Sequence, residues 1–191
     1  MHRSEQKRTL LVIGGSAGAL MPVLDIVSAL RRTSALSVIV VLHRKQSDDT
    51  TLVDLLSART VFQVKEIDDK DDLQHQHIYL APADYHVLVE DDMTLSLDDS
   101  EKVNFSRPSI DVTFESASEV VGERLMCVLL SGANADGVAG LVAAKRKGAF
   151  IVVQDPSASE FPLMPQQALD LVPVDMLLND RNLSALIDLL A

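Results

Sequence analysis

Residues 9–18 read TLLVIGGSAG. The first half, 9–13, is an apolar run without polar alternation. Such a run is a strand buried on both faces, as in a parallel sheet covered by helices. The second half is a glycine turn around one serine. Residues 20–31 follow with Leu20, Leu24, Val27 and Leu30 at helical spacing. Strand, glycine turn and helix make the opening of a βαβ unit, and the same alternation runs on through the chain.

Working outward, strands are predicted at 37–42 (SVIVVL), 61–67, 77–80, 125–130 (LMCVLL) and 150–153. Helices are predicted at 52–58, 109–121 with Ser109 as N-cap, 137–147 stopped by Gly148, 165–171 with a proline in its first turn, and 183–190. Residues 86–97 form a hairpin turning at Asp91 and Asp92, and the acidic stretch 68–72 reads as a solvated loop. The fold class expected is α/β: a single doubly wound domain with a mainly parallel sheet, helices on both faces and a short β-hairpin. It spans 9–191, with 1–8 as an N-terminal extension.

A chain of 191 residues is long enough for one domain with a large core. It carries 17 Lys and Arg against 28 Asp and Glu, a formal charge of −11. That field repels phosphate backbones, and an aromatic content of 4% with no Trp offers little for base stacking, so no nucleic-acid partner is expected. No apolar stretch reaches the roughly 18 residues a membrane span needs, and the basic start leads into too short an apolar run for a signal peptide. The expectation is a cytoplasmic protein without membrane insertion. The single cysteine, Cys127, lies inside the LMCVLL run and reads as a small buried hydrophobe.

Ligands of doubly wound sheets bind beyond the carboxyl ends of the strands. Ser16 follows the first strand, His43 the second, and Asp136 the LMCVLL strand. These are the parts of a nucleophile, base and orienting acid. Gly14, Ser16 and Gly18 fit Gly-x-Ser-x-Gly between a strand and a helix, the context of a nucleophile elbow. The chain order Ser, His, Asp differs from the α/β-hydrolase order. Each residue also has a plainer reading: the glycine loop as a phosphate-binding turn, His43 as a structural histidine, Asp136 as a helix N-cap. His75 and His77 read as exposed loop residues. His86 reads equally as a cleft residue or the start of a strand.

Taken in order, these segments resemble the catalytic domain of the chemotaxis protein-glutamate methylesterase (CheB) family over residues 10–178. The residues that carry the resemblance are Ile13-Gly14-Gly15-Ser16-Ala17-Gly18, Val41-Leu42-His43, Tyr79-Leu80-Ala81-Pro82 with His86, Ser106-Arg107-Pro108-Ser109-Ile110-Asp111, Ser131-Gly132 with Asp136-Gly137, and Gln154-Asp155 with Met164-Pro165. The resemblance implies hydrolysis of glutamyl γ-methyl esters on methylated chemoreceptors, with deamidation of selected glutamines, through Ser16, His43 and Asp136. It implies no metal and no organic cofactor. Backbone N–H groups of Ala17 and Ala133 are the expected oxyanion donors. Arg107 is the candidate substrate-binding residue, its alternative being a structural pair with a nearby acid. Ser109 and Asp111 read as helix N-terminal capping residues.

Three departures stand out. Ala17 offers no side-chain hydroxyl where the family often has threonine or alanine. Ala133 stands where a methionine is common, and Asn134 and Ala135 replace a glycine and a small polar residue. The family's N-terminal receiver domain has no counterpart before 9–13, which points to a separate response regulator, constitutive activity or another target. A non-catalytic binding or scaffold module on the same fold is the alternative reading.

Overall fold

β1 (Leu10–Gly15) is buried along its whole length and pairs in parallel with a strand on either side, as its unbroken apolar sequence demands. The computed structural model describes residues 9–32, 35–44 and 51–191; the predicted extension 1–8 lies outside them. In chain order β1 is followed by α1 (Leu20–Ala29), β2 (Ser37–Leu42), α2 (Thr51–Ser57), β3 (Gln63–Glu66), β4 (Asp71–Asp72), β5 (His77–Leu80), β6 (His86–Val89) and β7 (Thr94–Asp98). Then come α3 (Ile110–Val121), β8 (Leu125–Leu129), α4 (Val138–Arg146), β9 (Phe150–Gln154), α5 (Leu163–Leu171), β10 (Met176–Leu178) and α6 (Leu183–Asp188).

Seven strands form one sheet in the order β10-β9-β8-β1-β2-β5-β3, every pairing parallel. From β1 the chain first builds outward through β2, then returns to the other side with β8. The strand order therefore reverses between β1 and β8, and the carboxyl ends of these two strands flank the crevice where such sheets place ligands.

The period of two along each strand divides the core. Leu10 and Val12 face one side with Phe114, Leu141 and Ala168 from α3, α4 and α5. Leu11 and Ile13 face the other side with Leu24 and Val27 of α1, Leu56 of α2 and Leu186 of α6. Helices thus cover both faces, as the sequence predicts.

The hairpin is also present, β6 against β7, closed by the Glu90 N–H to Thr94 and the Met93 N–H to Glu90. It belongs to a separate three-stranded antiparallel sheet, β4-β7-β6. This corrects the reading of 68–72 as a solvated loop. Asp71 and Asp72 pair with Leu95 and Thr94, and the Asp71 carboxylate is held by Lys65 Nζ at 2.8 Å and the Asp68 N–H at 2.8 Å. β10 is not expected from the sequence; three residues at a sheet edge are too few to show a period. At the opposite edge, 61–67 shortens to the half-exposed β3.

α3 and α4 meet through Gly140. A Cβ there would lie 2.8 Å from both Cα and the carbonyl oxygen of Asp111. Backbone cannot rotate away as a side chain can, so Gly140→Ala is expected to destabilise the protein by about 2 kcal/mol, read as a lower urea midpoint.

Candidate active site

Ser16 leaves β1 in a turn whose N–H donates to the Ser131 carbonyl at 2.9 Å and whose carbonyl accepts from the Ala19 N–H at 3.1 Å. Its backbone is thereby fixed to the β8 loop on one side and the start of α1 on the other. Gly132 keeps this junction tight: a Cβ there would meet Met164 Cε at 2.5 Å and Ser16 Cβ at 3.2 Å. His43 continues the β1–β2 register one step past Gly15 and Leu42, and its N–H donates to the Gly15 carbonyl at 3.2 Å. Ser16 and His43 therefore stand side by side at the ends of adjacent strands.

Asp136 enters from the loop after β8 and is fully buried. His43 Nε2 lies 2.7 Å from Asp136 Oδ2. The same carboxylate accepts the Ile110 N–H at 2.6 Å, the Ser109 hydroxyl at 2.8 Å and the Asp111 N–H at 3.1 Å. Two of these donors belong to the open first turn of α3, whose positive dipole end suits an anion. Burial pushes the Asp136 carboxyl up, but the His43 bond, the two N–H groups and the Ser109 hydroxyl outweigh it and hold it below the usual carboxylate value. Asp136 does cap a helix, although not the one it precedes. The residue before α4 is Gly137, in the left-handed region at φ 95°.

Ser109 occupies the N-cap position of α3, but its hydroxyl makes no capping bond and turns to Asp136 instead. Asp111 likewise does more than cap, for its carboxylate accepts Gly140 N–H at 2.6 Å and Asn104 Nδ2 at 2.7 Å. Here the expectation of simple capping residues is corrected: the Ser109 hydroxyl is drawn to Asp136, and the Asp111 carboxylate ties α3 to Gly140 and Asn104.

Two further residues support the site through contacts that the sequence does not show. Asn134 accepts the Asp136 N–H at 3.1 Å through Oδ1, which turns its Nδ2 toward His43 Nδ1 at 3.3 Å. With an acceptor at Nε2 and a donor at Nδ1, His43 is fixed as the tautomer carrying its proton on Nε2. The lone pair on Nδ1 then opens to the cleft. Asx turns are too common for Asn134 to stand out by type. His86 is buried; its Nδ1 accepts the Ser109 N–H at 3.0 Å and its Nε2 donates to the Glu101 carbonyl at 2.9 Å. It is the first residue of β6, the strand-start reading of its two, and it also supports Ser109 from behind.

The hydroxyl of Ser16 makes no hydrogen bond among the described residues. The N–H groups of Ala17 and Ala133, both exposed, are likewise unengaged among them. Arg107 donates to Asp84 at 3.1 Å and to the carbonyls of Asp99 and Ser100 at 2.5 and 2.8 Å. That is the structural pairing of its two readings, although the side chain still lines a cleft beside His43. Cys127 is fully buried, and burial pushes its thiol well up, so it is a core residue rather than a reactive one.

A model of the CheB methylesterase family matches residues 11–187. The chain belongs to the CheB methylesterase family. It is 39% identical over 176 residues to a putative protein-glutamate methylesterase/protein-glutamine glutaminase of Leptospira interrogans (strain Fiocruz L1-130), covering 92% of this chain and 91% of that protein. It is 30% identical over 169 residues to the protein-glutamate methylesterase/protein-glutamine glutaminase of Sulfurimonas denitrificans, covering 87% of this chain and 48% of that protein. The crystal structure of the Thermotoga maritima CheB methylesterase catalytic domain superposes with a TM-score of 0.89 at 26% identity, over 96% of this chain and all of that one. The parallel sheet of this CheB-family chain is therefore that of the catalytic domain. No helix among its described residues is long and apolar enough to cross a membrane.

The CheB-type site also holds a carboxyl on the verge of titrating. Burial pushes Asp111 up to about 6; the Asp136 charge adds to this and the Gly140 N–H only partly offsets it. In the unfolded chain Asp111 titrates near 3.9. A raised folded value means the folded state binds this proton more tightly. The contribution is fully present below about pH 4 and is lost as pH rises through about 6. Asp111→Asn, which keeps an acceptor for Gly140, is expected to flatten the fall in melting temperature between those limits. An unchanged profile by calorimetry at several pH values would show that Asp111 does not carry it.

Proposed function

We propose that this protein is a serine carboxylic-ester hydrolase that removes methyl groups from glutamyl γ-methyl esters of a chemoreceptor-type protein. The observation that carries the reading is the buried Asp136 bonded to His43 Nε2, on the strand end beside that of Ser16. The names of the relatives support the substrate class.

In this mechanism Ser16 Oγ attacks the γ-carbonyl and its proton passes to His43 Nδ1. The lone pair there is held by Asn134 Nδ2, at the long distance of 3.3 Å, until the serine hydroxyl rotates in to replace it. Asp136 holds the imidazole and stabilises its cation. The free N–H groups of Ala17 and Ala133 take the developing oxyanion. The tetrahedral adduct collapses, its C–O bond to the methoxy group breaks, and His43 returns the proton to give methanol. Water, deprotonated by His43, then cleaves the glutamyl ester on Ser16 and leaves a free carboxylate. A glutamine side chain entering the same site would release ammonia by the same steps. No step calls for a metal or organic cofactor.

The test is methanol release from receptor-derived peptides methylated on glutamate, with the product identified by mass. One methanol per glutamate formed is expected. Binding of such peptides without methanol release would overturn the hydrolase and favour the scaffold reading.

A further inference from the structure

The cleft beside His43 holds about 290 Å³ and is lined by His43, Arg44, Lys102, Phe105, Ser106 and Arg107. Among the described residues it is lined by three cations and no acid, in a chain whose net charge is −11. Arg44 is paired with Glu66 and Arg107 with Asp84, while Lys102 is exposed and has no partner among the described residues.

Phe105 stands on the rim of this cleft and is 97% exposed. It sits at the tip of a two-residue hairpin turn, closed by the Val103 N–H to Ser106 at 3.1 Å and the Ser106 N–H to Val103 at 2.9 Å. Both central residues are left-handed, Asn104 at φ 49° and Phe105 at φ 61°. Turns of this kind favour Asn at the first position and Gly at the second. Asn104 meets that preference and is tied down by its bond to Asp111. Phe105 violates it, and gains no packing in return. A bulky side chain kept in an unfavourable conformation with its whole surface in water points to a contact made outside the chain.

We infer that Phe105 is a substrate-binding residue: it seats an apolar side chain beside the esterified glutamate, in an acidic segment drawn to the cleft by Lys102. The inference rests on the methylesterase reading for the identity of the segment. Its occupant is an acidic amphipathic stretch of the methylated protein, whose charge matches Lys102, unpaired among the described residues, and whose apolar side matches the exposed Phe105.

The experiment measures kcat and KM with a helical peptide carrying one glutamate methyl ester, free glutamates and a flanking leucine. Phe105→Gly is expected to raise KM about tenfold with kcat held within twofold, and Phe105→Leu to recover most of the loss. The glycine variant should melt at the same temperature or higher, since glycine suits the left-handed position. Replacing the peptide leucine by alanine should remove the difference between the native chain and the Phe105→Gly variant, a coupling that a structural role would not produce. An unchanged KM, or a lower melting temperature with kcat and KM moving together, would overturn the inference. Fluorescence anisotropy of the same peptide on the Ser16→Ala chain separates the two readings. If no methanol is released but binding still weakens about tenfold in Phe105→Gly, the hydrolase fails and Phe105 stands. Binding indifferent to Phe105, or absent, sinks the inference whatever the chemistry does.

Discussion

Ser16→Ala is expected to lower methanol release by roughly 10⁵- to 10⁶-fold while leaving the melting temperature where it was. The two halves of this expectation come from different observations. The loss of rate follows from the proposed role. Without the hydroxyl there is no acyl intermediate, and water must attack the ester directly from a site shaped for serine. The free N–H groups of Ala17 and Ala133 would still polarise the carbonyl, so some catalysis above the uncatalysed rate should survive. The unchanged stability follows from the structure. The Ser16 hydroxyl bonds to nothing among the described residues, and the turn is held by its backbone N–H and carbonyl, which alanine retains. Removing an unpartnered hydroxyl leaves no buried donor or acceptor behind. Methanol assays and thermal melts on the same preparation decide the matter. A rate within tenfold of the native chain would remove Ser16 from the mechanism.

The elements that carry these residues are legible in the sequence because each is buried on both faces. β1, β2, β5, β8 and β9 appear as continuous apolar runs, and a run of that kind has few other ways to fold. The strand ends then bring Ser16 and His43 together with no further information than the register. Asp136 is legible as well, as the acid that follows β8; the contacts behind these three residues are not, for a physical reason. Asp136 caps α3, whose first residue lies 26 positions earlier, so its partners are set by packing rather than by spacing. Ser109 and Asp111 look like ordinary N-terminal residues of a helix until that carboxylate is placed among them. His86 and Asn134 act through single hydrogen bonds to these groups, and no periodicity marks a residue of that kind. The edges are obscure for another reason: β4 and β10 are two and three residues long, and their pairing comes from neighbours rather than from their own sequence. Phe105 is silent in the sequence altogether, since nothing short of the turn's left-handed backbone shows that an aromatic there is out of place.

Asp136→Asn is expected to cost about 10³- to 10⁴-fold in kcat and a further 1–3 kcal/mol of stability. The carboxylate accepts four donors, three of them at Ile110, Ser109 and Asp111 and the fourth at His43. An amide brings one oxygen and one NH₂ group, so one side must face donors with donors. The Ile110 N–H at 2.6 Å is the tightest of the contacts and tolerates an opposing N–H least. The amide oxygen should therefore stay with Ile110 and His43, and the NH₂ should turn to Ser109 and the Asp111 N–H. The serine hydroxyl can rotate to accept, but the backbone N–H cannot. His43 then keeps its tautomer and loses the negative charge that stabilises its cation, so the loss falls on kcat. The same substitution acts on Asp111. The Asp136 charge is one of the causes that raise its carboxyl, and without that charge the value should relax downward. The pH interval over which stability falls should move to lower pH as the rate is lost. Steady-state kinetics and urea midpoints between pH 4 and 7 test both effects on one variant. A midpoint profile that does not move would mean the two carboxylates are not coupled through the start of α3. A kcat within tenfold would mean that His43 does not depend on Asp136 for its charge.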